Sequence, residues 1–272
     1  MPDPHTQLAA RAYSARGLDI QFSADSLDFS YGPDVFGPGP ESRKLDDIRK
    51  SLLDPNCGGP DPVYNIAMDV GRRAHAASLR EKFLLFGLVV YAKGKLGNEP
   101  VRSQGHVHAV SSHSGWSAPE LFEFWHGRAI VYGQESTTDD PGRCFAIEAG
   151  PGDVVVIPPG WAHFVVNADS ESFMSFGAWC DREYGFVYDS VRARGGLAWF
   201  PTFTAGGSLA WQRNPRYSHT GSPLTYKSAR KYPELSLLDG VPIYEQFARN
   251  PETVNWVSQP ARFEALWKTF TP

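Results

Sequence analysis

The sequence predicts an all-β fold in which short helices accompany the strands only towards the chain ends. Between residues 63 and 188, apolar runs of strand length follow one another, and clusters of Gly, Pro, Asp and Ser separate them without an intervening helical pattern. Closely spaced strands of this kind are typical of a barrel or a sandwich. No internal repeat is visible, so a single barrel is expected. The predicted strands cover residues 82–93, 121–132, 144–148, 153–157, 164–167 and 173–179.

Segments on both sides of the predicted barrel complete the chain. Residues 1–28 are polar and irregular and predict a loose arm, whereas residues 29–190 hold the barrel and a short helix before it. Ser42 can cap that helix, whose apolar face carries Leu45, Ile48 and Leu52. Residues 191–272 are expected to form an extension packed on the barrel, with a terminal helix around residues 260–270.

The composition indicates a globular protein with a large core. The chain has 272 residues, a net charge of -4, and 17 Phe, 11 Tyr and 8 Trp. This nearly neutral balance predicts no nucleic-acid partner and no anionic membrane surface, and no apolar run is long enough for a membrane span. No secretory leader is visible. Three widely spaced cysteines argue against a disulfide framework and favour the cytoplasm.

Four residues have the types and spacing of a metal site. His106 and His108 are one residue apart, so on a strand both side chains point to the same face. Glu120 and His163, brought in from other strands, would complete a shell of three imidazoles and one carboxylate. Such a shell suits Fe(II), Mn, Ni or Zn, and metal availability decides among them. An isolated His-x-His often occurs by chance, so the interpretation depends on the residues around it.

The residues around these candidates form two strings. In the first, Glu120 is followed by Gly127, and the second consists of Gly152, Pro158, Gly160, His163 and Asn167. Both strings resemble the two motifs of the cupin superfamily, although the gap between His108 and Glu120 exceeds the usual three or four residues. The resemblance implies a single jelly-roll β-barrel with N-terminal and C-terminal extensions.

The chain resembles more specifically the cupin-type glucose-6-phosphate isomerases of archaea and some bacteria. The similarity covers roughly residues 31–217, with specific motifs and loose segments between them. The motifs are FGLVV at 86–90, GKLGNE at 94–99, GHVH at 105–108, PELFE at 119–123, PPGWAH at 158–163, EYG at 183–185, GGLAWF at 195–200 and NPRY at 214–217.

This resemblance implies a metal-dependent aldose–ketose isomerase that acts on a sugar phosphate, with glucose 6-phosphate and fructose 6-phosphate as the expected pair. By the family's pattern, one divalent ion would be held by His106, His108, Glu120 and His163 and would polarise the open-chain carbonyl as a Lewis acid. Glu120 is also the candidate that moves the proton between C1 and C2. A direct hydride shift is the alternative mechanism, and the sequence leaves both open. The resemblance also implies a homodimer.

The resemblance further implies how the sugar phosphate is held. In this family the phosphate is held largely by hydroxyl and backbone N–H groups. The matching positions in this chain are Tyr64, Ser103, the Gly105 amide and Tyr184. A structural role for each hydroxyl is the alternative interpretation.

Several departures from the family pattern concern the same site. Phe122 stands at a substrate-site position where the family commonly has tyrosine, so a hydroxyl worth about 1–3 kcal/mol to a bound sugar is missing. Val89 replaces the threonine of some members. The long insertion between His108 and Glu120 is expected at the barrel mouth, with His113 facing solvent. These changes suggest a different sugar phosphate, an unphosphorylated sugar or new chemistry.

Three functions therefore remain open. The first is the isomerase, and the second is another metal-cupin enzyme, such as an Fe(II) oxygenase, a lyase or an epimerase on a related polyol. The third is a non-catalytic sugar-binding cupin. Oxygen consumption would identify an oxygenase, and binding without turnover would identify the third, since the fold alone decides none of them.

Overall fold

The computed structural model describes residues 12–218 and 223–272 of the chain. Short strands dominate: β1 (Ala12–Ser14), β2 (Ile20–Ser23), β3 (Phe29–Tyr31), β4 (Val35–Phe36), β5 (Glu41–Arg43), β6 (Tyr64–Met68), β7 (Gly71–Arg72), β8 (Leu84–Tyr91), β9 (Lys95–Leu96), β10 (Glu99–Pro100), β11 (Val107–His108), β12 (Glu120–His126), β13 (Ala129–Gln134), β14 (Cys144–Ala149), β15 (Val154–Ile157), β16 (Ala162–Asn167), β17 (Met174–Asp181), β18 (Phe186–Val187), β19 (Trp199–Phe203), β20 (Leu209–Arg213) and β21 (Leu224–Ser228).

The α-helices of the described residues are all short: α1 (Leu45–Ile48), α2 (Ala76–Glu81), α3 (Asp189–Ala193), α4 (Ile243–Arg249), α5 (Asn255–Ser258) and α6 (Glu264–Trp267). Turns of 3-10 helix cover Arg49–Ser51, Arg73–His75, Pro233–Leu235, Pro251–Val254 and Pro260–Phe263. None of the helices in this part of the chain has the length and hydrophobicity of a membrane span.

Two sheets form the body of the molecule. The first has the strand order β15-β12-β17-β8-β6-β5, and the second has the order β16-β13-β14-β21. Neighbouring strands are antiparallel except β14 and β21, which run parallel. The predicted all-β class is therefore confirmed, and the two facing sheets are the layers of the expected jelly roll. The predicted run 121–132 breaks at Gly127 into β12 and β13.

The apolar core between the sheets is built by alternation along the strands. Phe122 and Phe124 of β12 are almost completely buried and pack in the same cluster as Val131 and Val165 of the second sheet. Each such side chain contributes roughly 1.5–3 kcal/mol when it is fully buried. The cavity described below opens at one end of this core.

The N-terminal segment differs from the prediction. Residues 1–11 of the predicted loose arm lie outside the described residues, but β1, β2 and β3 form an antiparallel sheet. Ile20 and Phe22 are buried in an apolar cluster that also contains Trp125. The loose arm is therefore wrong for residues 12–28, because two alternate apolar residues are enough to bury one face of a short strand.

The short helix before the barrel is present, but its cap is not Ser42. Ser42 lies in β5, and its hydroxyl donates to Asn65 Oδ1 at 2.8 Å. Lys44 is the residue before the first turn, and its amide donates to the Asp47 carboxylate. Strand pairing of β5 with β6 therefore outweighs the capping preference and places Arg43 opposite Tyr64.

The C-terminal extension packs on the outer face of the first sheet and also adds a strand to the second. The Trp179 indole of β17 donates to the Ile243 carbonyl at 3.3 Å, and its ring stacks on Tyr244 of α4. The predicted terminal helix is found as a 3-10 turn followed by α6. The division of the chain at residues 28 and 190 stays a prediction, although β21 lies beyond the second boundary.

Candidate metal centre

Strand pairing brings the four metal-ligand candidates together. The backbones of His106 and His163 exchange two hydrogen bonds of 3.0 Å in an isolated bridge. His108 follows in β11, and Glu120 begins β12. Residues that are far apart in the chain therefore meet at one end of the core.

Their possible ligand atoms all lie within 4.8 Å of one another. Glu120 Oε2 is 2.9 Å from His163 Nε2 and 3.3 Å from His108 Nε2. The Nε2 atom of His106 is buried and has no hydrogen-bond partner. A buried ring nitrogen without a partner is rare in folded proteins, and a metal ion would satisfy it. The residues therefore fit a divalent cation.

Backbone carbonyls orient two of the imidazoles. His108 Nδ1 lies 2.9 Å from the Ala118 oxygen, and His163 Nδ1 lies 3.3 Å from the Trp161 oxygen. A carbonyl only accepts, so each Nδ1 carries the proton and donates it. In the neutral ring the lone pair then belongs to Nε2, the atom that faces the cluster.

Burial and mutual contact set the charge of the cluster. Burial lowers the pKa of His106, and the neighbouring His163 and His108 lower it further. Burial would raise the pKa of Glu120, but the contacts and charge interactions with His108 and His163 together outweigh it and hold that pKa well below its usual range. Burial is also the largest effect on the pKa of His108 and lowers it, but the contact with Glu120, the charge of Glu120 and the Ala118 carbonyl together leave that pKa raised. An ionised carboxylate among imidazoles is the charge state that a cation prefers.

A cavity of about 600 Å³, counting the part open to solvent, adjoins the cluster. His106, Glu120 and His163 line it, so a bound ion would face this space.

Comparison with known proteins defines the family. A model of the family described as "Glucose-6-phosphate isomerase (GPI)" matches residues 51–219. The chain belongs to the glucose-6-phosphate isomerase family. A glucose-6-phosphate isomerase of Thermococcus kodakarensis is 31% identical over 158 residues, which are 56% of this chain and 75% of the relative. That of Thermococcus gammatolerans is 32% identical over 180 residues, 65% of this chain and 86% of the relative.

These relatives confirm the family and the isomerase class that the motifs predict. Solved structures of an oxalate oxidase and of the oxalate decarboxylase of Bacillus subtilis are also similar. They are 19% and 16% identical, cover 46% and 48% of this chain and 54% and 28% of the other, and have TM-scores of 0.33 and 0.32. Similarity this distant does not bear on the activity.

The cavity wall contains most, but not all, of the substrate-site residues expected for a glucose-6-phosphate isomerase. Tyr64, Ser103, Gly105 and Phe122 line it. The Ser103 hydroxyl accepts from the Val165 amide at 3.1 Å and also hydrogen-bonds with the Tyr91 side chain.

Tyr184 is not among the lining residues and instead packs against Phe186 at 5.2 Å between ring centres. The tyrosine that does line the cavity is Tyr188, four residues later. The chain forms β18 between these two tyrosines, so Tyr188 and not Tyr184 reaches the cavity wall.

The two family departures both fall on the cavity wall. Val89 and Phe122 line it, and the Phe122 ring centre is 6.0 Å from that of His163. At these two positions this chain therefore presents an apolar surface beside the candidate metal ligands.

The insertion between His108 and Glu120 is held by contacts with backbone groups of both motifs and with the Glu183 side chain. Ser117 Oγ donates to the His108 carbonyl at 2.7 Å and accepts from the Gly160 amide at 3.2 Å. The Glu183 carboxylate accepts from the His113 amide at 2.9 Å. The His113 ring is exposed, stacks on Phe83 and lies outside the metal cluster, as the sequence predicted.

Two groups at this site were missed by the sequence reasoning. Cys180 of β17 donates its thiol to Glu120 Oε1 at 3.2 Å, and Arg43 of β5 lines the cavity. Neither belongs to a motif, and each reaches the site only through strand pairing. Their only sequence signal is their residue type.

Proposed function

We propose that this protein interconverts glucose 6-phosphate and fructose 6-phosphate with one bound divalent metal ion. The observation that supports it most is the buried cluster of His106, His108, Glu120 and His163, which borders a cavity in a member of this family. The same four residues are the proposed metal ligands. Fe(II), Mn, Ni and Zn all suit this set of donors.

The reaction moves one hydrogen from C2 to C1 of the sugar and one from O2 to O1. A metal ion held by the cluster would polarise the carbonyl as a Lewis acid. Glu120 is the proposed base, because its carboxylate is ionised and lies at the cavity wall. The apolar walls formed by Val89 and Phe122 exclude water from the reacting carbons.

Direct hydride transfer is the competing route, and isotope labelling separates the two. A sugar phosphate that carries deuterium at C2 would lose part of the label to solvent if Glu120 carries the proton. Complete retention of the label at C1 would assign the hydride shift and leave Glu120 with a ligand role alone.

Sugar binding is assigned to the polar groups of the wall. Tyr64 and the Ser103 hydroxyl are proposed to contact the substrate, with the Gly105 amide beside His106 and with the Phe122 ring packed against the sugar. Tyr184 has less support, because it lies outside the cavity lining.

The first experiment is a coupled assay on metal-free protein reloaded separately with Fe(II), Mn, Ni or Zn. Fructose 6-phosphate is supplied, and glucose 6-phosphate is detected. Metal-dependent turnover supports the proposal and identifies the metal. No turnover with the metal bound would contradict it, and oxygen uptake or sugar binding without reaction would then point to the other two functions.

Two companion expectations belong to the same proposal. The homodimer implied by the family is tested by sedimentation at several protein concentrations. The cytoplasm is the expected compartment, since Cys57, Cys144 and Cys180 are all free thiols.

A further inference from the structure

One cationic side chain borders the metal cavity. Within the described residues, Arg43 is the only lysine or arginine among those that line it. It ends β5, directly opposite Tyr64 of β6, and its side chain is 20% exposed. A guanidinium at this position places a permanent positive charge in the wall of an otherwise largely apolar space.

Arg43 lies between two tyrosines of the same wall. Burial raises the pKa of Tyr64 and of Tyr188, and the Arg43 guanidinium counteracts that rise in both through its charge and hydrogen bonding. The Tyr188 ring centre is 6.1 Å from that of His106. Tyr188 therefore lies close both to the guanidinium and to a proposed metal ligand.

The existing ion pair of Arg43 is weak. Its partner is Glu41, whose side chain is 69% exposed, so water screens the interaction. An anion inside the cavity would approach the guanidinium where less water surrounds it than at Glu41. The attraction between the two charges is stronger there.

Arg43 and Tyr188 also border a shallower polar recess that opens outside the cavity. Arg192 lines this outer recess but not the cavity, and it lies 4.9 Å from the Tyr188 ring and donates to Gln104 Oε1 at 2.9 Å. Both arginines therefore lie close to Tyr188, but only Arg43 reaches the inner space.

We propose that Arg43, with the hydroxyls of Tyr64 and Tyr188, binds the phosphate of the substrate at the end of the sugar away from the metal. The inference rests on the proposed function and adds the residue that would select a phosphorylated sugar. A guanidinium fork matches phosphate oxygens in two parallel hydrogen bonds. Arg43 precedes the residues matched by the family model, which begin at residue 51. It supplies polar contacts that Phe122 and Val89 do not offer.

Kinetics of Arg43→Met test the proposal. The expected result is a rise in the KM for fructose 6-phosphate by a factor of about 10 to 100, with kcat and metal content largely retained. Inhibition by inorganic phosphate should weaken in parallel. Arg43→Lys keeps the charge but not the fork, so its KM should lie between those of the wild type and Arg43→Met.

Arg192→Met is the matched control, because it removes one positive charge from the same entrance but not from the cavity wall. It should change the KM and the phosphate inhibition far less than Arg43→Met does. Equal effects of the two variants would mean that Arg43 only attracts the anion through its charge, as Arg192 does, and would overturn the assignment. An unchanged KM in folded Arg43→Met and Arg43→Lys would also overturn it.

Calorimetry with fructose 6-phosphate separates this inference from the proposed function. If the wild type binds the sugar phosphate without turnover and Arg43→Met loses that binding, the isomerase proposal fails and the role of Arg43 stands. If turnover occurs and the variants match the wild type, Arg43 is excluded and the isomerase stands. Absence of both binding and turnover contradicts both.

Discussion

The thiol of Cys180 donates a hydrogen bond to Glu120 Oε1, while the other carboxylate oxygen faces His108 and His163. The register of β12 and β17 pairs Leu121 with Trp179, so Cys180 lies across from Glu120. The two oxygens of one carboxylate thus have separate partners. The thiol holds the carboxylate plane in place without occupying the oxygen that faces the imidazoles.

Cys180→Ala should lower kcat by about tenfold, because Glu120 loses a donor that fixes its orientation. Cys180→Ser, which keeps a donor, should recover most of the activity. Cys144→Ala is the matched control, since Cys144 is also a buried free thiol but lies in the second sheet, where it contacts the Gly142 carbonyl and Tyr132 and not Glu120. The measurement is steady-state kinetics on metal-loaded protein. Wild-type kcat in Cys180→Ala would remove the positioning role.

Glu120→Ala and His163→Ala should abolish isomerase activity and weaken metal retention by more than about 100-fold. The fold should persist, because neither side chain belongs to an apolar cluster. Metal content after dialysis and circular dichroism check both statements. His113→Ala, a loop histidine outside the cluster, should retain metal and activity. Full activity in both ligand variants would disprove the assigned metal site.

Glu123 predicts a pH-dependent stability. Its carboxylate is 1% exposed, accepts from Arg16 and from the Ile243 amide, and burial raises its pKa to about 7. The folded state therefore binds a proton that the unfolded state releases near pH 4.5, so the free energy of unfolding falls as pH rises from about 4.5 to 7. The loss from this residue is at most about 3 kcal/mol.

Glu123→Gln should remove that part of the pH dependence. Urea unfolding of the variant and the wild type at several pH values between 4 and 8 measures it. The exposed Glu81→Gln serves as a control and should follow the wild type. Parallel stability curves for Glu123→Gln and the wild type would refute the buried, proton-binding carboxyl.

Two glycines with the same backbone conformation should respond differently to alanine. Gly127 and Gly160 have φ values of +76° and +78°. A Cβ on Gly127 would lie 2.6 Å from the Phe173 carbonyl oxygen, whereas one on Gly160 would meet nothing within 4 Å. Gly160→Ala should cost about 1–2 kcal/mol through backbone strain alone. Gly127→Ala should cost at least about 1 kcal/mol more. Equal losses in thermal unfolding would contradict the steric argument.

Sequence reasoning predicted the residues of the candidate metal cluster but not the side chains around it. The sequence allowed prediction of His106, His108 and His163, because strand alternation and a rigid turn make the orientation of these side chains a local property. Cys180 and Arg43 were not, because each reaches the site through the register of a strand distant in sequence. Tyr188 was missed because it follows β18, and the pairing of β18 with β11 is not visible in the motif.

The fold shows a similar limit. Long apolar runs such as β8 and β17 were predicted to within about two residues, since their burial leaves a clear pattern. The strand β2 was missed because its buried face consists of only Ile20 and Phe22. Ser42 was misassigned because its partner, Asn65, lies in another strand.

The parallel pairing of β21 with β14 has a consequence for the handling of this protein. Residues 224–228 cover one side of β14, which carries the buried Phe145 and Ile147. A chain shortened before Leu224 would leave a five-residue row of β14, residues 144–148, without its partner strand and next to apolar side chains. Such a row is a template for another strand, so the truncated protein should aggregate edge to edge. The strand at residues 224–228 therefore protects the edge of β14 from self-association, separate from any part it has in the reaction.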